Sequence, residues 1–419
     1  MEALAKELTR LGVTNFIAAP HTQNVAYKHN ALHVLRFKST SKLNDLSVLY
    51  GEGDTLAAAS FDTLLAREQP DLVHLHAYTS AISLRTIEVI KRRGIPVVFT
   101  YHTPTVSCAR GTLLRWGSNV CDGMLDERLC AQCVLNKLGI GYPFNALLAA
   151  LPPNLSELGR IRQGGAWTAL RMRNLIHQKH AATRQFLQQM DRIVVLCRWT
   201  QELLERNGIP QAQMYLSPHG LSLSSLPQPK QSSLPPQPVR FVYFGRIDPV
   251  KGLDVVIQAI RQIPNTVTPF TLDIYGVVQA GAEDYKQHLI NLIGNDQRIT
   301  FHPPVNNQSV LPLLENYHFL LVPSQWLETG PLVVLEAFAA GTPVVGSNLG
   351  GIAELVQDGV NGLLVEPNSV SDWVKSLERV LQDSTLYPRL KAAVRPPRLM
   401  SDVAKDMFSV YTSLLSSRY

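Results

Sequence analysis

Short apolar runs alternate with helical stretches on both sides of a single Pro/Ser/Gln-rich break, and this constrains the fold more than any other feature. Before the break the runs are Asn15 to Ala19, Leu72 to Leu75, Val97 to Tyr101 and Ile193 to Leu196. After it they are Phe241 to Phe244, Leu272 to Tyr275, Phe319 to Val322, Val344 to Gly346 and Gly362 to Val365. Such alternation predicts parallel sheets covered by helices on both faces. The break, Ser222 to Pro238, has no periodic apolar face and reads as a linker. At 419 residues the chain is long enough for two domains. The expected fold is therefore α/β: two Rossmann-like doubly wound domains facing across a cleft, with ligands at the carboxyl ends of the strands. The expected boundaries are 1–220, a linker 221–239, a second domain 240–400, and a terminal segment 401–419. That segment carries Val403, Met407, Val410, Tyr411, Leu414 and Leu415 at helical spacing.

Two segments carry chemistry. In the first, the strand-like Phe319 to Val322 leads into a loop with Glu328, then Gly330-Pro331, then a helix from Leu332 to Ala340 holding Glu336. Proline suits a first helical turn, where its missing amide is not needed. A helix start after a strand can receive an anion or a cluster of hydroxyls, and both carboxylates can face a ligand there. On spacing alone, a capped helix with two solvated acids accounts for the pattern equally well. The second segment, Phe241 to Asp254, is again strand, loop and helix start, with Gly245, Arg246 and Lys251 together. Two cations beside backbone amides suit a diphosphate, which Arg holds bidentately and Lys as a point charge.

Together, G-R-x4-K at Gly245 to Lys251 and E-x7-E at Glu328 to Glu336 resemble the retaining glycosyltransferases of family 4, which have the GT-B fold. Further matching segments are Pro70 to His76, Thr100 to Thr103, Asp191 to Leu196, and Gly341 to Gly351 with Glu354. The resemblance implies transfer of a sugar from a nucleoside-diphosphate donor to a lipid-linked or polysaccharide acceptor, as in cell-envelope synthesis. It also implies retention at the anomeric carbon. Arg246 and Lys251 would stabilise the leaving diphosphate, with Gly245, Thr329, Gly330, Pro331 and Leu332 completing the donor site. Glu336 would bind the ribose, Glu328 would approach the transferred sugar without an assigned covalent role, and His102 would meet the reacting centre. No catalytic cofactor is expected, and the sequence has no Asp-x-Asp pair of the kind that metal-dependent transferases use. By the same resemblance the terminal helix should cross back to the first domain. Phe301 to Val305 should lie near the base. His219-Gly220 reads as a hinge turn. His74 and His76 alternate along their strand, so they are expected on opposite faces as packing residues. A sugar-nucleotide epimerase and a non-catalytic nucleotide-sugar binder are the competing readings.

One departure stands out. Family members open with an apolar strand and a Gly-rich loop, whereas Met1 to Leu8 already reads as the following helix. Five buried apolar residues of a central strand would contribute about 10 kcal/mol, comparable to a domain's net stability. Met1 is therefore expected to be an internal start within a longer chain.

Charge is uneven. Residues 1–222 hold 24 Lys and Arg against 16 Asp and Glu, and the basic residues Arg160, Arg162, Arg171, Arg173, Lys179 and Arg184 crowd one stretch. A solvated helix face is the plain reading, and attraction to an anionic membrane surface the sharper one. No nucleic-acid-binding motif accompanies the charge. No apolar run reaches the roughly 20 residues a membrane span needs, so a cytoplasmic protein, peripheral at the inner face of the cytoplasmic membrane, is expected.

Four cysteines, Cys108, Cys121, Cys130 and Cys133, fall in an insert at about 104–140 that directly follows His102. Their spacing suits a structural Zn2+ site in a reducing compartment. Unmetallated thiols, disulfides and an iron–sulfur cluster are the alternatives. Such an insert would form a flap on the acceptor side, while Cys197 lies alone in a strand.

Overall fold

The computed structural model describes residues 1–41, 45–152, 164–223, 238–264, 268–279 and 281–416. Most of the linker, together with Glu157, Arg160 and Arg162, lies outside them. The chain divides into two units, Met1–Pro218 with Ser401–Tyr419, and His219–Met400.

The second unit is built on one six-stranded, all-parallel sheet. Its strands are β10 (Val239–Ile247), β11 (Phe270–Val278), β12 (Ile299–His302), β13 (Phe319–Val322), β14 (Val344–Ser347) and β15 (Gly362–Val365), in the order β12-β11-β10-β13-β14-β15. Continuous apolar runs such as Phe319-Leu320-Leu321-Val322 are buried throughout because helices cover both faces. One face packs Phe241, Leu272, Ile274, Phe319 and Leu321 against Val256, Ile260, Trp373 and Leu377. The other packs Val242, Leu320, Val322 and Val344 against Val334, Phe338 and Ile352. Strand order reverses between β10 and β13. These two strands pair only through Phe241↔Phe319 and Val242↔Leu320, whereas β10 continues beside β11 to Ile247↔Val278. The carboxyl ends of β10 and β13 thus part at the switch point, where open α/β sheets receive their ligands.

The first unit holds two main sheets. One comprises β1 (Phe16–His21), β2 (Val25–His29) and β3 (Leu32–Lys38) in the order β1-β3-β2. The other comprises β4 (Val73–Leu75), β5 (Val97–Tyr101), β8 (Arg192–Val195) and β9 (Met214–Leu216), all parallel, in the order β4-β5-β8-β9. A small hairpin, β6 (Leu114–Arg115) with β7 (Asn119–Val120), stands apart. A single continuous sheet is therefore not formed among the described residues; β1 and β4 belong to different sheets. The terminal helix Met400–Ser416 buries Ala404, Met407 and Val410, and Asp406 accepts a hydrogen bond from the Ser217 hydroxyl at 2.8 Å.

Cys197 is not within a strand, as its apolar surroundings suggested. It follows β8 and occupies the N-cap position of the helix Arg198–Arg206. The basic stretch also differs from a simple solvated face. On the helix Gly165–Gln188, Arg173 is half-buried, donates to the Ala149 carbonyl at 2.8 Å and lies 3.5 Å from Glu127. Lys179 is half-buried over the Tyr78 ring, 5.2 Å from its centroid. Arg184 is exposed. Among the described residues no helix is long and apolar enough to cross a membrane.

Candidate active site

The site in the second unit begins at the end of β10. A Cβ on Gly245 would stand 2.7 Å from the Tyr243 hydroxyl, which donates to the Arg246 carbonyl at 2.7 Å. A side chain there would therefore break the turn that presents Arg246. Arg246 sits on the last residues of the strand rather than in the loop that follows, because β10 runs to Ile247. Its guanidinium donates to Gln279 at 3.1 Å and lies 4.0 Å from Asp248. Asp248 caps a short 3-10 turn, Pro249–Lys251, by accepting from the Val250 amide at 3.1 Å. Gly252 then adopts φ +68° and starts the helix Leu253–Gln262.

The loop after β13 closes onto this turn. The Gln325 amide donates to the Val250 carbonyl at 2.8 Å. A Cβ on Gly252 would meet the Pro323 carbonyl oxygen at 2.1 Å, so the two loops touch main chain to main chain. The contact brings Lys251 Nζ to Glu328 Oε1 at 2.5 Å, and the same oxygen accepts from the Ser324 hydroxyl at 2.7 Å. Glu328 is buried. Trp326 lies between the cations, with Arg246 5.9 Å and Lys251 5.5 Å from its ring centroids. Its buried indole Nε1 has no partner among the described residues. Trp326 was not singled out from sequence; an aromatic between a G-R-x4-K cation pair and an acidic loop was the only available signal.

Gly330 (φ +119°) and Pro331 lead into the helix Leu332–Ala339. Pro331 is the N-cap in extended conformation, one residue earlier than the first-turn position expected for it. The Gly330 position lies against the ring of His219 (a Cβ would be 3.3 Å from it), so the residue read as a hinge borders this loop. Close approach explains a further pair of glycines. The Gly351 amide donates to the Glu328 carbonyl at 2.7 Å, and a Cβ there would stand 2.6 Å from the Gly330 nitrogen. Leu332 is exposed at the helix start. Glu336 is half-buried one turn further on, and burial raises its carboxyl above the ordinary value. The second unit thus brings together Gly245, Arg246, Lys251 and Glu328, with Gly330, Pro331, Leu332 and Glu336 on the same strand-loop-helix segment as Glu328. Phe301 to Val305 lies at the end of β12, where His302 stacks on Tyr275 (4.6 Å between centroids) and lies 2.7 Å from Asp273.

In the first unit, His102 follows β5 and His76 follows the adjacent β4. The expectation that His74 and His76 sit on opposite faces is wrong. Strand β4 ends at Leu75, so alternation stops before His76, and the His74 and His76 rings stack at 4.1 Å. His76 Nδ1 lies 2.9 Å from His102 Nε2, while His74 bridges Tyr411 (2.6 Å) and Thr100 (2.7 Å). His102 is therefore held by a half-buried imidazole ladder reaching to the terminal helix. Burial, followed by the neighbouring imidazoles, pushes His74 down to about 3 and His76 well below its ordinary value. The unfolded chain takes up these protons first. Stability is thus fully present above about pH 6.5 and lost as pH falls from there toward 3. His74 should contribute a slope of up to about 1.4 kcal/mol per pH unit in that window, and His76 acts in the same direction. Urea midpoints measured from pH 7.5 to 5 should fall accordingly; a flat profile would contradict the ladder.

A cavity of about 280 Å³ in the same unit is lined by Tyr78, Ser80, Ser83, Thr105, Arg110 and Lys179 among others. The four insert cysteines are partly buried and free. As placed, no group of three Cys, His, Asp or Glu side chains among the described residues forms a metal-ligand set.

Comparison with known proteins identifies the family and the fold. The "Glycosyl transferase 4-like domain" family model matches residues 1–220, and "Glycosyl transferases group 1" matches residues 226–395. The chain is 33% identical over 156 residues to a D-inositol 3-phosphate glycosyltransferase of Arthrobacter sp. (strain FB24), a match covering 36% of this chain and 37% of the relative. The match thus spans little over a third of that relative's length. Among solved structures, sucrose-phosphate synthase from Thermosynechococcus elongatus superposes with a TM-score of 0.67 at 19% identity, over 99% of this chain and 92% of that one. Anabaena Alr3699/HepE in complex with UDP-glucose gives 0.57 at 16% identity, over 91% and 86%. At these identities the likeness establishes the fold.

Proposed function

The chain belongs to the glycosyl transferase 4-like family and is a glycosyltransferase of the GT-B type, and from this premise we propose that it moves a sugar from a nucleoside-diphosphate donor to a lipid-linked or polysaccharide hydroxyl with retention. The observation that carries the reading is the meeting of Arg246 and Lys251 around Trp326 at the β10/β13 switch point, beside Glu328 and the start of the helix that bears Glu336. Breaking the bond from the anomeric carbon to the diphosphate leaves negative charge on phosphate and positive charge on the sugar. Arg246, Lys251 and the amides at the start of helix Leu332–Ala339 stabilise the former. In this mechanism the acceptor oxygen enters on the face the diphosphate leaves, and its proton passes to the departing phosphate. Side-chain cations perform the charge stabilisation, so the proposed reaction is metal-independent. Glu336 accepts hydrogen bonds from the ribose hydroxyls, and His102, oriented by His76, is the first unit's candidate catalytic side chain. Anabaena Alr3699/HepE was solved with UDP-glucose, which makes uridine nucleotides the first donors to try. The cations Arg110 and Lys179 beside hydroxyl side chains suit an acceptor that carries phosphate, as lipid-linked glycans do.

The test is a thermal-shift screen of uridine and guanosine diphosphates and their sugars. A bound nucleotide at 100 times its Kd should add about 2.7 kcal/mol of stability. The same screen on Glu336→Gln has a distinctive expected outcome. A carboxyl raised by burial favours the folded state at pH below its unfolded value, and that contribution is lost as pH rises through the folded value. Removing the charge should therefore raise the melting temperature of the free protein at neutral pH while shrinking the nucleotide-induced shift. Absence of any shift in the wild type would overturn the donor assignment.

A further inference from the structure

His102 is one end of a line of side chains that runs back to the last helix of the chain. His76 Nδ1 lies 2.9 Å from His102 Nε2, with the two ring planes 27° apart. His76 stacks in turn on His74, at 4.1 Å between centroids and 30° between planes. His74 has both ring nitrogens engaged, Nδ1 with the Tyr411 hydroxyl at 2.6 Å and Nε2 with the Thr100 hydroxyl at 2.7 Å. The Tyr411 ring stands at 83° to that of His74, so its hydroxyl reaches the imidazole edge and leaves the faces to stacking.

The two anchors of His74 are themselves held firmly. Thr100 is buried on β5, opposite Val194 of β8. Tyr411 sits one turn after buried Met407 on the helix Met400–Ser416, hence on the face that packs inward. That helix is also fastened by Asp406 to the Ser217 hydroxyl at 2.8 Å.

Two consequences follow for His102. A ring turning about its Cβ–Cγ bond moves its nitrogens away from their partners, and His74 would lose two hydroxyls by doing so. Its plane is therefore a fixed reference against which His76 is stacked. Between His76 Nδ1 and His102 Nε2 there is a place for one proton. With that proton on His76, a neutral His102 carries its own on Nδ1. With it on His102 Nε2, the Nδ1 of His102 is an acceptor. The placement of His76 thus decides what His102 offers on its other edge.

We propose that Tyr411 is a positioning residue for His102, acting through the doubly anchored His74 and the stacked His76. This rests on the reading of His102 as a candidate catalytic side chain. The terminal helix then serves the reacting centre of the first unit as well as its packing.

The experiment uses the full chain labelled with 15N in its histidine rings. Wild-type His102 should show one protonated and one unprotonated nitrogen, with coupling across the N–H···N bond to His76. Tyr411→Phe keeps the aromatic ring and removes only the hydroxyl. The two His102 nitrogens should then shift toward an averaged value. kcat should fall about 10-fold, within the roughly 10²-fold that a 1 Å misplacement can cost, while the donor KM stays unchanged. His76→Asn, whose amide can take the place of Nδ1, should keep most of the kcat that His76→Leu loses. Should Tyr411→Phe fail to fold, Thr100→Val removes the other anchor of the same ring and has the same expected outcome. A Tyr411→Phe protein that melts earlier but keeps the wild-type His102 ring signals and kcat would reduce Tyr411 to packing and overturn the proposal. A wild-type spectrum without coupling between His76 and His102 would overturn it too. The ring spectra need no turnover, so they test the ladder separately from sugar transfer.

Discussion

Replacing Arg246 by alanine is expected to lower the turnover of sugar transfer by about 10²–10³-fold, the usual effect of removing one group that stabilises charge in the transition state. The effect should fall mainly on kcat, because the guanidinium gains most as the diphosphate takes on charge. Stability should hardly change. Arg246 is more than a third exposed and only 4.0 Å from Asp248, a weak surface pair. Lys251→Met should lower turnover similarly but also destabilise the fold. Lys251 is the cation beside buried Glu328, and stranding a buried carboxylate costs up to about 3–5 kcal/mol. Adding Glu328→Gln to Lys251→Met should restore much of that stability without restoring activity. Release of nucleoside diphosphate, followed with melting temperature on the same samples, separates the two effects. An Arg246→Ala enzyme with unchanged kcat would remove Arg246 from the leaving-group site.

The second large effect belongs to a residue with no side chain. Gly252→Ala should destabilise the second unit by roughly 2–5 kcal/mol, combining a left-handed backbone with overpacking. The φ of +68° already disfavours alanine, and the new methyl would collide with the Pro323 carbonyl at 2.1 Å and Gln325 Nε2 at 2.5 Å. A carbonyl in a strand-end loop cannot swing aside as a flexible side chain can, so the loops must separate. Lys251 would then leave Glu328, and nucleotide affinity should fall together with stability. Gly359→Ala is the control, since it too has positive φ (+70°) but has nothing within 4 Å of an added Cβ. Equal destabilisation by the two substitutions would show that backbone conformation, not loop contact, sets the cost.

Much of the candidate site was legible because each half is local. Strand, loop and helix start follow one another within about a dozen residues, and Gly245, Arg246, Lys251, Glu328 and Glu336 all belong to such units. What sequence could not show is how the halves meet. Lys251 and Glu328 are 77 positions apart, and their contact follows from β10 and β13 being neighbours in the sheet, a non-local fact. Trp326 gains its place between the cations only through that adjacency. The histidines failed for a different reason. Period-two alternation is reliable inside a strand, but β4 has only three residues and ends at Leu75, so the alternation could not be carried on to His76. In the N-terminal unit the apolar runs located β1, β4, β5 and β8 but missed β2, β3 and β9, and nothing in their composition revealed that β1 and β4 would enter separate sheets.

The Gln325-to-Val250 hydrogen bond joins the two loops through peptide groups alone. Backbone-to-backbone fastening is indifferent to most amino-acid exchanges around it. Exposed side chains around these loops can consequently be exchanged while the β10 and β13 loops stay fastened. Tolerance of substitution should therefore be greatest at exposed positions bordering these loops and least at the glycines beneath them.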